Sequence, residues 1–421
     1  MSGTKKLGRW LRRHSLTLVA ALGGAAGVAY AAGWHSTPSA QATALATNVV
    51  TVATPTPAPK PVQIATPEPE LPRDNVQDTV QIALLLDTSS SMDGLINQAR
   101  SHLWKMVDDV GKMTRVVDGK TRGVKIELAL YEYGNDTLSS KSGFIRQVLP
   151  FTTDLDRVSE KLYGLFTNGG SEYVGQAIET SVKSLEWTSD PSAMKFVFVA
   201  GNEEFDQGPV SAASAMKAAA GKDINVQLIF AGNDEPTWEA AAKLAKSDLV
   251  TIDQNQVAQY IPSPQDAAIL QLGNELNQTY IAYGDEGRAS MGRQSSADAS
   301  SAKMSPKVAI ERAQLKGKKA YRNENWDVVD AVQNNGKFLE QATDDKLPSE
   351  LRGKTLAEKQ QVVAANTTKR AEIQAMIAKL EAERTAFLEN QRANQVGAKA
   401  QSLETGMMKS TKSVATKKGY K

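Results

Sequence analysis

The apolar run Leu84-Leu85-Leu86 ends in an aspartate that is followed, two and four residues on, by serines: Asp87, Ser89 and Ser91 in "LLLDTSSSMDG". One carboxylate and two hydroxyls at alternate positions of a curled loop can converge on one centre. They are hard oxygen ligands, suited to Mg²⁺ or Mn²⁺ rather than Zn²⁺. Asp and Ser are equally the favoured caps of a helix N-terminus, and a helical pattern begins directly after them. A metal site and a helix cap are both open on these residues alone.

Other chemistries are poorly supplied. The chain has no cysteine, which removes thiolate ligands, disulfides and a cysteine nucleophile. Of its three histidines, His14 and His35 lie in the N-terminal segment. Only His102 is left for a folded body, where an isolated histidine on a helical pattern reads as structural. G-x-S-x-G, Walker A, G-x-G-x-x-G and H-E-x-x-H are absent from that body. A metal-assisted hydrolase would need a base that the sequence does not show, so the expectation is a binding protein and not an enzyme. The formal net charge of +2 on 421 residues gives no reason to expect nucleic acid.

The elements that must position Asp87 follow from hydrophobic periodicity. "VQIALLLD", "VKIELALYEYG", "KFVFVAG", "INVQLIFAG" and "DLVTID" read as strands, several of them apolar throughout. Between them, "GLINQARSHLWKMVDDVGKM", "DLDRVSEKLYGLF", "VGQAIETSVKSLEW" and "EPTWEAAAKLAK" read as amphipathic helices. Buried strands alternating with helices predict an α/β domain with a doubly wound, mainly parallel sheet over 78–285. In such a sheet ligands bind beyond the carboxyl ends of the strands, which is where Asp87 stands.

Around this domain the composition changes. Residues 1–35 join a basic cluster (Lys5, Lys6, Arg9, Arg12, Arg13) to about 20 uncharged residues, as in a signal peptide or an N-terminal membrane anchor. Either would place the body outside the cytoplasm, in the periplasm or cell envelope. Residues 36–77 form a Pro-rich linker, with seven of the sixteen prolines between Ala53 and Pro72. After the domain, "GRASMGRQSSADASSAKMS" reads as a polar linker over 286–305 and residues 306–395 as a helical region. Ile373, Leu380 and Phe387 recur there every seven residues, with Ile377 between the first two and Arg384 interrupting the series. That seam is expected to pack on neighbouring helices, with a coiled coil or homo-oligomer as the alternative. Residues 396–421, ending in "KSTKSVATKKGYK", read as a solvated basic tail.

"DTSSSM" after an apolar strand, "NGGSEYVGQAI" about eighty residues later and the strand "FVFVAGNEE" together resemble a von Willebrand factor type A domain over about Gln81 to Tyr283. The C-terminal stretches "ERAQLKGKKAYRNENWDVVDAV" and "LPSELRGKTLAEKQQVVAANTTKRAEIQ" are similar to those of exported bacterial proteins bearing such a domain. The resemblance implies a Rossmann-like fold and a metal-ion-dependent adhesion site, built from D-x-S-x-S, a threonine of a Gly-Gly-Thr-like loop and an aspartate after a later strand. Carried over, it assigns Asp87, Ser89 and Ser91 to the first element and Ser171 to the second, a hydroxyl in place of a hydroxyl. The third element departs: Ala200, Gly201 and Asn202 stand where T-D-G is usual, so the aspartate position falls on Gly201. Asn202, Glu203 and Glu204 are the nearby oxygens that could contribute. The implied function is protein binding through the loops at the top of the sheet. Glu172, Tyr173 and Glu203 would lie near the contact surface, and a partner would offer a carboxylate to Mg²⁺ or Mn²⁺.

Overall fold

The computed structural model describes residues 77–233, 235–255, 260–393 and 403–421. The signal or anchor segment and nearly all of the Pro-rich linker lie outside them. Among the described residues no helix is long and apolar enough to cross a membrane.

The strands are β1 (Asp78–Asp87), β2 (Arg115–Val117), β3 (Lys120–Arg122), β4 (Val124–Tyr133), β5 (Ile145–Thr152), β6 (Met194–Gly201), β7 (Asn225–Ala231) and β8 (Leu249–Ile252). The helices within and just after the sheet are α1 (Asp93–Gly111), α2 (Leu155–Tyr163), α3 (Val174–Ser184), α4 (Ala212–Ala220), α5 (Pro236–Ala245) and α6 (Asp266–Asn277). There follow α7 (Gly287–Met304), α8 (Pro306–Lys316), α9 (Val328–Asn334), α10 (Phe338–Gln341), α11 (Leu356–Ala393) and α12 (Leu403–Lys417).

Six strands form one sheet in the order β5-β4-β1-β6-β7-β8, while β2 and β3 make a separate hairpin. All pairs in the large sheet are parallel except β4 with β5. The predicted doubly wound, mainly parallel sheet is therefore present. β5 carries Pro150, which cannot donate to a ladder and is tolerated at the antiparallel edge that this strand forms. Along β1, Val80, Ile82, Leu84 and Leu86 enter one core and Ala83 and Leu85 the other, so the strand is buried on both faces. Helices α3, α4 and α5 cover the second face; α1, α2 and α12 cover the first.

The chain runs outward from β1 to β4 and β5, then returns to β6 on the other side of β1 and continues to β7 and β8. The strand order reverses between β1 and β6, so a crevice opens beyond their carboxyl ends. Asp87 ends one of these strands and Gly201 ends the other.

Two predicted boundaries are corrected. The stretch read as a polar linker is helix α7, which buries Gly287, Ser290, Gln294, Ala297 and Ser301 at helical spacing against α2 and α8. Small and polar residues leave little hydropathy signal but let helices approach closely, and Ser301 accepts a 2.9 Å hydrogen bond from the Trp104 indole on α1. The stretch read as a solvated tail contains helix α12. Leu403, Met407, Met408, Val414 and Ala415 are buried beneath it against α1 and the sheet. A Cβ on Gly406 would meet Val250 Cγ1 at 2.2 Å, so glycine is what lets α12 lie this close to β8. After α12, Lys421 and Thr114 exchange backbone hydrogen bonds of 2.9 and 3.1 Å, and Arg115 stacks over the Tyr420 ring.

The helical region is likewise no separate body, because one core cluster runs from Val80 through Leu315, Trp326 and Ile377 to Tyr420. Ile373 and Ile377 of α11 are buried in that cluster, and Arg384, the break in the seven-residue series, pairs with Asp266 of α6 at 2.7 Å. Higher on α11, Arg370 is held by Asp327 and Asp330 at 2.8 Å each and stacks on Tyr280.

Candidate metal centre

The D-x-S-x-S residues do not cap α1. Its N-cap is Met92, which makes no side-chain cap bond. The Asp87 carboxylate instead accepts from the Ser89 backbone N–H at 2.7 Å through Oδ1, curling the loop back on itself. Ser89 Oγ lies 3.2 Å from Ser91 Oγ, and Ser91 donates to Asn202 Oδ1 at 3.2 Å. Asn202 thus stands at the site through its contact with Ser91. Glu203 is exposed; its carbonyl accepts from the Trp238 indole at 2.6 Å, and its charge is felt at Asp87.

The second loop is fastened to the first by main chain. Asn168 N–H donates to Thr88 O, Ser90 N–H to Gly169 O, and Gly169 N–H to Ser90 Oγ, each at 2.9 Å. Gly169 has a φ of +79°, and a Cβ there would stand 2.2 Å from the Asp136 carboxyl carbon. An antiparallel bridge then sets Ser171 beside Gly134, the residue after β4. All four predicted ligands, Asp87, Ser89, Ser91 and Ser171, are therefore brought to loops at one end of the sheet.

Glu172 was placed at the contact surface by the sequence, but it is buried at 2 % exposure. A Cβ on Gly134 (φ +81°) would meet Asp87 Oδ1 at 2.7 Å and Glu172 Cγ at 2.9 Å, so both carboxyl side chains flank one point. Asp87 Oδ2 and Glu172 Oε2 are buried and accept no hydrogen bond from the rest of the described chain. Burial raises both groups, Asp87 to about 6 and Glu172 to about 9, with the charge of Asp87 adding to the rise at Glu172. Two close carboxyls in a dry site keep a proton between them, which lets Glu172 donate to Asp87. Neither the apolar patterning nor the motif spacing points to this pair.

Metal-free stability should register that proton. A carboxyl raised in the folded state retains a proton that the unfolded chain releases, so stability falls as pH climbs from the ordinary carboxyl range toward 9. Melting curves in EDTA from pH 5 to 9 should show a falling midpoint for the native chain and a flatter one for Glu172→Gln. Equal slopes would show that the pair is ionised without penalty.

Gly201, at the expected aspartate position, is fixed by a neighbour. Tyr133 is fully buried and its hydroxyl donates to Ala200 O at 2.9 Å. A Cβ on Gly201 would lie 2.5 Å from that hydroxyl and 3.3 Å from the Trp238 ring. Gly201→Asp is therefore expected to lower stability by about 1–3 kcal/mol, as overpacking does, without raising Mn²⁺ affinity. Thermal melts and calorimetry would check both halves, and adding Tyr133→Phe should recover part of the lost stability.

Oxygen donors and orphaned buried carboxyl oxygens fit a hard divalent cation. Among the described residues no group of three or more His, Cys, Asp or Glu side chains is arranged to hold a metal, so hydroxyls must complete any ligand set.

No protein-family model and no curated protein matches the chain. Among solved structures it is similar to proximal thread matrix protein 1 of the mussel byssus, at 13 % identity over 43 % of each chain with a TM-score of 0.31. It is similar to a von Willebrand factor type A protein from Catenulispora acidiphila at 18 % identity, over 42 % of this chain and 39 % of that one, with a TM-score of 0.32. The VWA domain of SpRpn10 aligns at 14 % identity over 42 % of this chain and 88 % of that one, with a TM-score of 0.31. One structure of the mussel protein has a zinc occupied MIDAS motif. The chain spans less than half the length of the mussel and Catenulispora proteins. The domain's own topology carries the assignment: the strand order turns back at β1, one edge strand is antiparallel, and D-x-S-x-S leaves the central strand to face a hydroxyl-bearing Gly-Gly loop. That combination makes this a protein with a domain of the von Willebrand factor type A fold.

Proposed function

We propose that the protein is a binding module which engages another protein through the loops beyond β1 and β6, with a divalent cation at Asp87, Ser89, Ser91 and Ser171. The observation that carries this reading is that the D-x-S-x-S side chains are not spent on capping α1, while Asp87 Oδ2 is buried without a donor. When bound, Mg²⁺ or Mn²⁺ supplies a Lewis-acidic contact point for a carboxylate of the partner. Ser91 and Asn202 line the solvent side of the loop, and exposed Glu203 and half-buried Tyr173 border it. The chain's own task is positional: Gly134, Gly169 and the backbone bonds of Asn168 and Ser90 hold the hydroxyls in place before any ligand arrives.

The sequence carries none of the hydrolase, nucleotide-binding or zinc-protease motifs, so the reading is binding and not turnover. The basic and then uncharged N-terminal sequence supports work outside the cytoplasm, in the periplasm or envelope. Assembly through the C-terminal helices is the weaker reading, because Ile373, Ile377 and Arg384 of α11 are already covered within the chain.

Calorimetric titration of the full chain with Mg²⁺ and Mn²⁺ tests the proposal. Saturable heat that disappears in Asp87→Ala supports it. No heat in the native protein would leave the Asp87–Glu172 pair as a protonated structural plug and end the metal-dependent reading.

A further inference from the structure

The domain lacks the second carboxylate that its resemblance leads one to expect, and Tyr133 holds position 201 as glycine. A cation held by Asp87 and three hydroxyls would carry an uncompensated positive charge beside the N-terminus of α1, where the helix dipole is also positive. Some other anion is needed in the site. Asn202 is neutral, Glu203 is exposed, and Glu204 is exposed as well.

Glu172 is different in kind. It is buried, it follows Ser171 directly, and the Gly134 bridge that places the Ser171 backbone also brings Glu172 against Asp87. Its Oε2 is buried without a donor, as is Asp87 Oδ2, and Asp87 Oδ1 and Glu172 Cγ flank the same point at Gly134. The Ser89 side chain lies within hydrogen-bonding reach of both carboxyls, so the group already shares one of the metal site's ligands. Burying carboxyl oxygens without donors is unfavourable unless a cation or a proton reaches them. A glycine at 134 keeps that space clear, since a side chain there would collide with both groups.

We infer that Glu172 is the second anionic ligand of the cation, supplied from the Gly-Gly-Ser loop in place of the aspartate lost at Gly201. This rests on the metal-dependent reading of the same site and changes its chemistry. Asp87 and Glu172 neutralise a divalent ion, so the chain can hold it without a partner. The donor set remains all oxygen, which favours Mg²⁺ and Mn²⁺ over Zn²⁺.

The test is Mn²⁺ binding by calorimetry and by the relaxation of water protons, on the full chain and on Glu172→Gln, Glu172→Asp, Asp87→Ala and Ser171→Ala. Circular dichroism and melting in EDTA verify that each variant is folded, and Gln keeps the volume of Glu. Glu172→Gln is expected to weaken Mn²⁺ by about tenfold or more, corresponding to about 1.4 kcal/mol, a loss of the order seen in Asp87→Ala. Glu172→Asp should retain part of the affinity, and Ser171→Ala should lose less than Glu172→Gln. Native affinity in Glu172→Gln alongside loss in Asp87→Ala would overturn the assignment of Glu172 and leave the metal site standing. Absence of binding in the native chain would overturn both.

Discussion

A chain ending at Ala393 is expected to lose cooperative unfolding altogether. Removal of α12 and the residues after it uncovers the face of the sheet and α1 on which Leu403, Met407, Met408, Val414 and Tyr420 are buried. Each such side chain contributes about 1.5–3 kcal/mol relative to exposure, so the five together amount to on the order of 10 kcal/mol as an upper estimate. Typical domains are stable by only about 5–15 kcal/mol. The truncation also releases the strand-like pairing of Lys421 with Thr114, the Arg115–Tyr420 stack and the bond from Lys418 Nζ to Ala193 O at 2.9 Å. Differential scanning calorimetry of the two chains would decide the matter. A truncated chain that melts with the enthalpy of the native one would show that the last helix is an accessory.

That α12 escaped a reading from composition has a local cause. From Lys409 onward the segment offers only Val414, Ala415 and Tyr420 among lysines, serines, threonines and a glycine, and looks solvated. Started at Leu403, the buried positions 403, 407, 408, 411, 414 and 415 fall on one helical face, with Thr411 turning its hydroxyl onto Met407 O at 2.8 Å. α7 is harder, since its buried stripe consists of glycine, serine, glutamine and alanine and has almost no hydropathy contrast. The apolar strands β1, β6 and β7 were legible because both of their faces are buried. β5 was not, as an edge strand with Pro150 and mixed polarity.

The site divides in the same way. Asp87, Ser89, Ser91 and Ser171 are fixed by local motifs, and local motifs can be read. The inward position of Glu172 depends on the antiparallel bridge of its neighbour Ser171 to Gly134, 37 residues before Ser171, and on the absence of a side chain there. The exclusion of a carboxylate at 201 depends on the hydroxyl of Tyr133 on a different strand. Both are consequences of tertiary register, to which a linear pattern is blind.

Arg312→Met should destabilise the protein by about 3–5 kcal/mol, the usual consequence of leaving buried charges without their partner. Arg312 on α8 is 1 % exposed and lies between Asp156 of α2, at 2.6 Å, and Asp298 of α7, at 2.8 Å. Its guanidinium stacks over Trp104 of α1 and Tyr321, at 4.4 and 4.9 Å from the ring centroids. One side chain thus joins four helices from stretches that the sequence assigns to three different regions. Loss of the cation leaves the two carboxylates unequally served. Asp298 keeps Lys316 at 2.5 Å and Asn277 at 2.8 Å, whereas Asp156 keeps, among the described residues, the Tyr321 hydroxyl alone. Most of the penalty should therefore arise at Asp156, whose carboxyl burial already raises in the presence of Arg312. Asp156→Asn in the Arg312→Met background is expected to return a large part of the loss, and Asp298→Asn much less. Denaturant unfolding of the two double-mutant cycles measures the difference directly. Equal recovery by both second-site changes would mean that Lys316 and Asn277 do not sustain Asp298 alone, and that the three charges act as one unit.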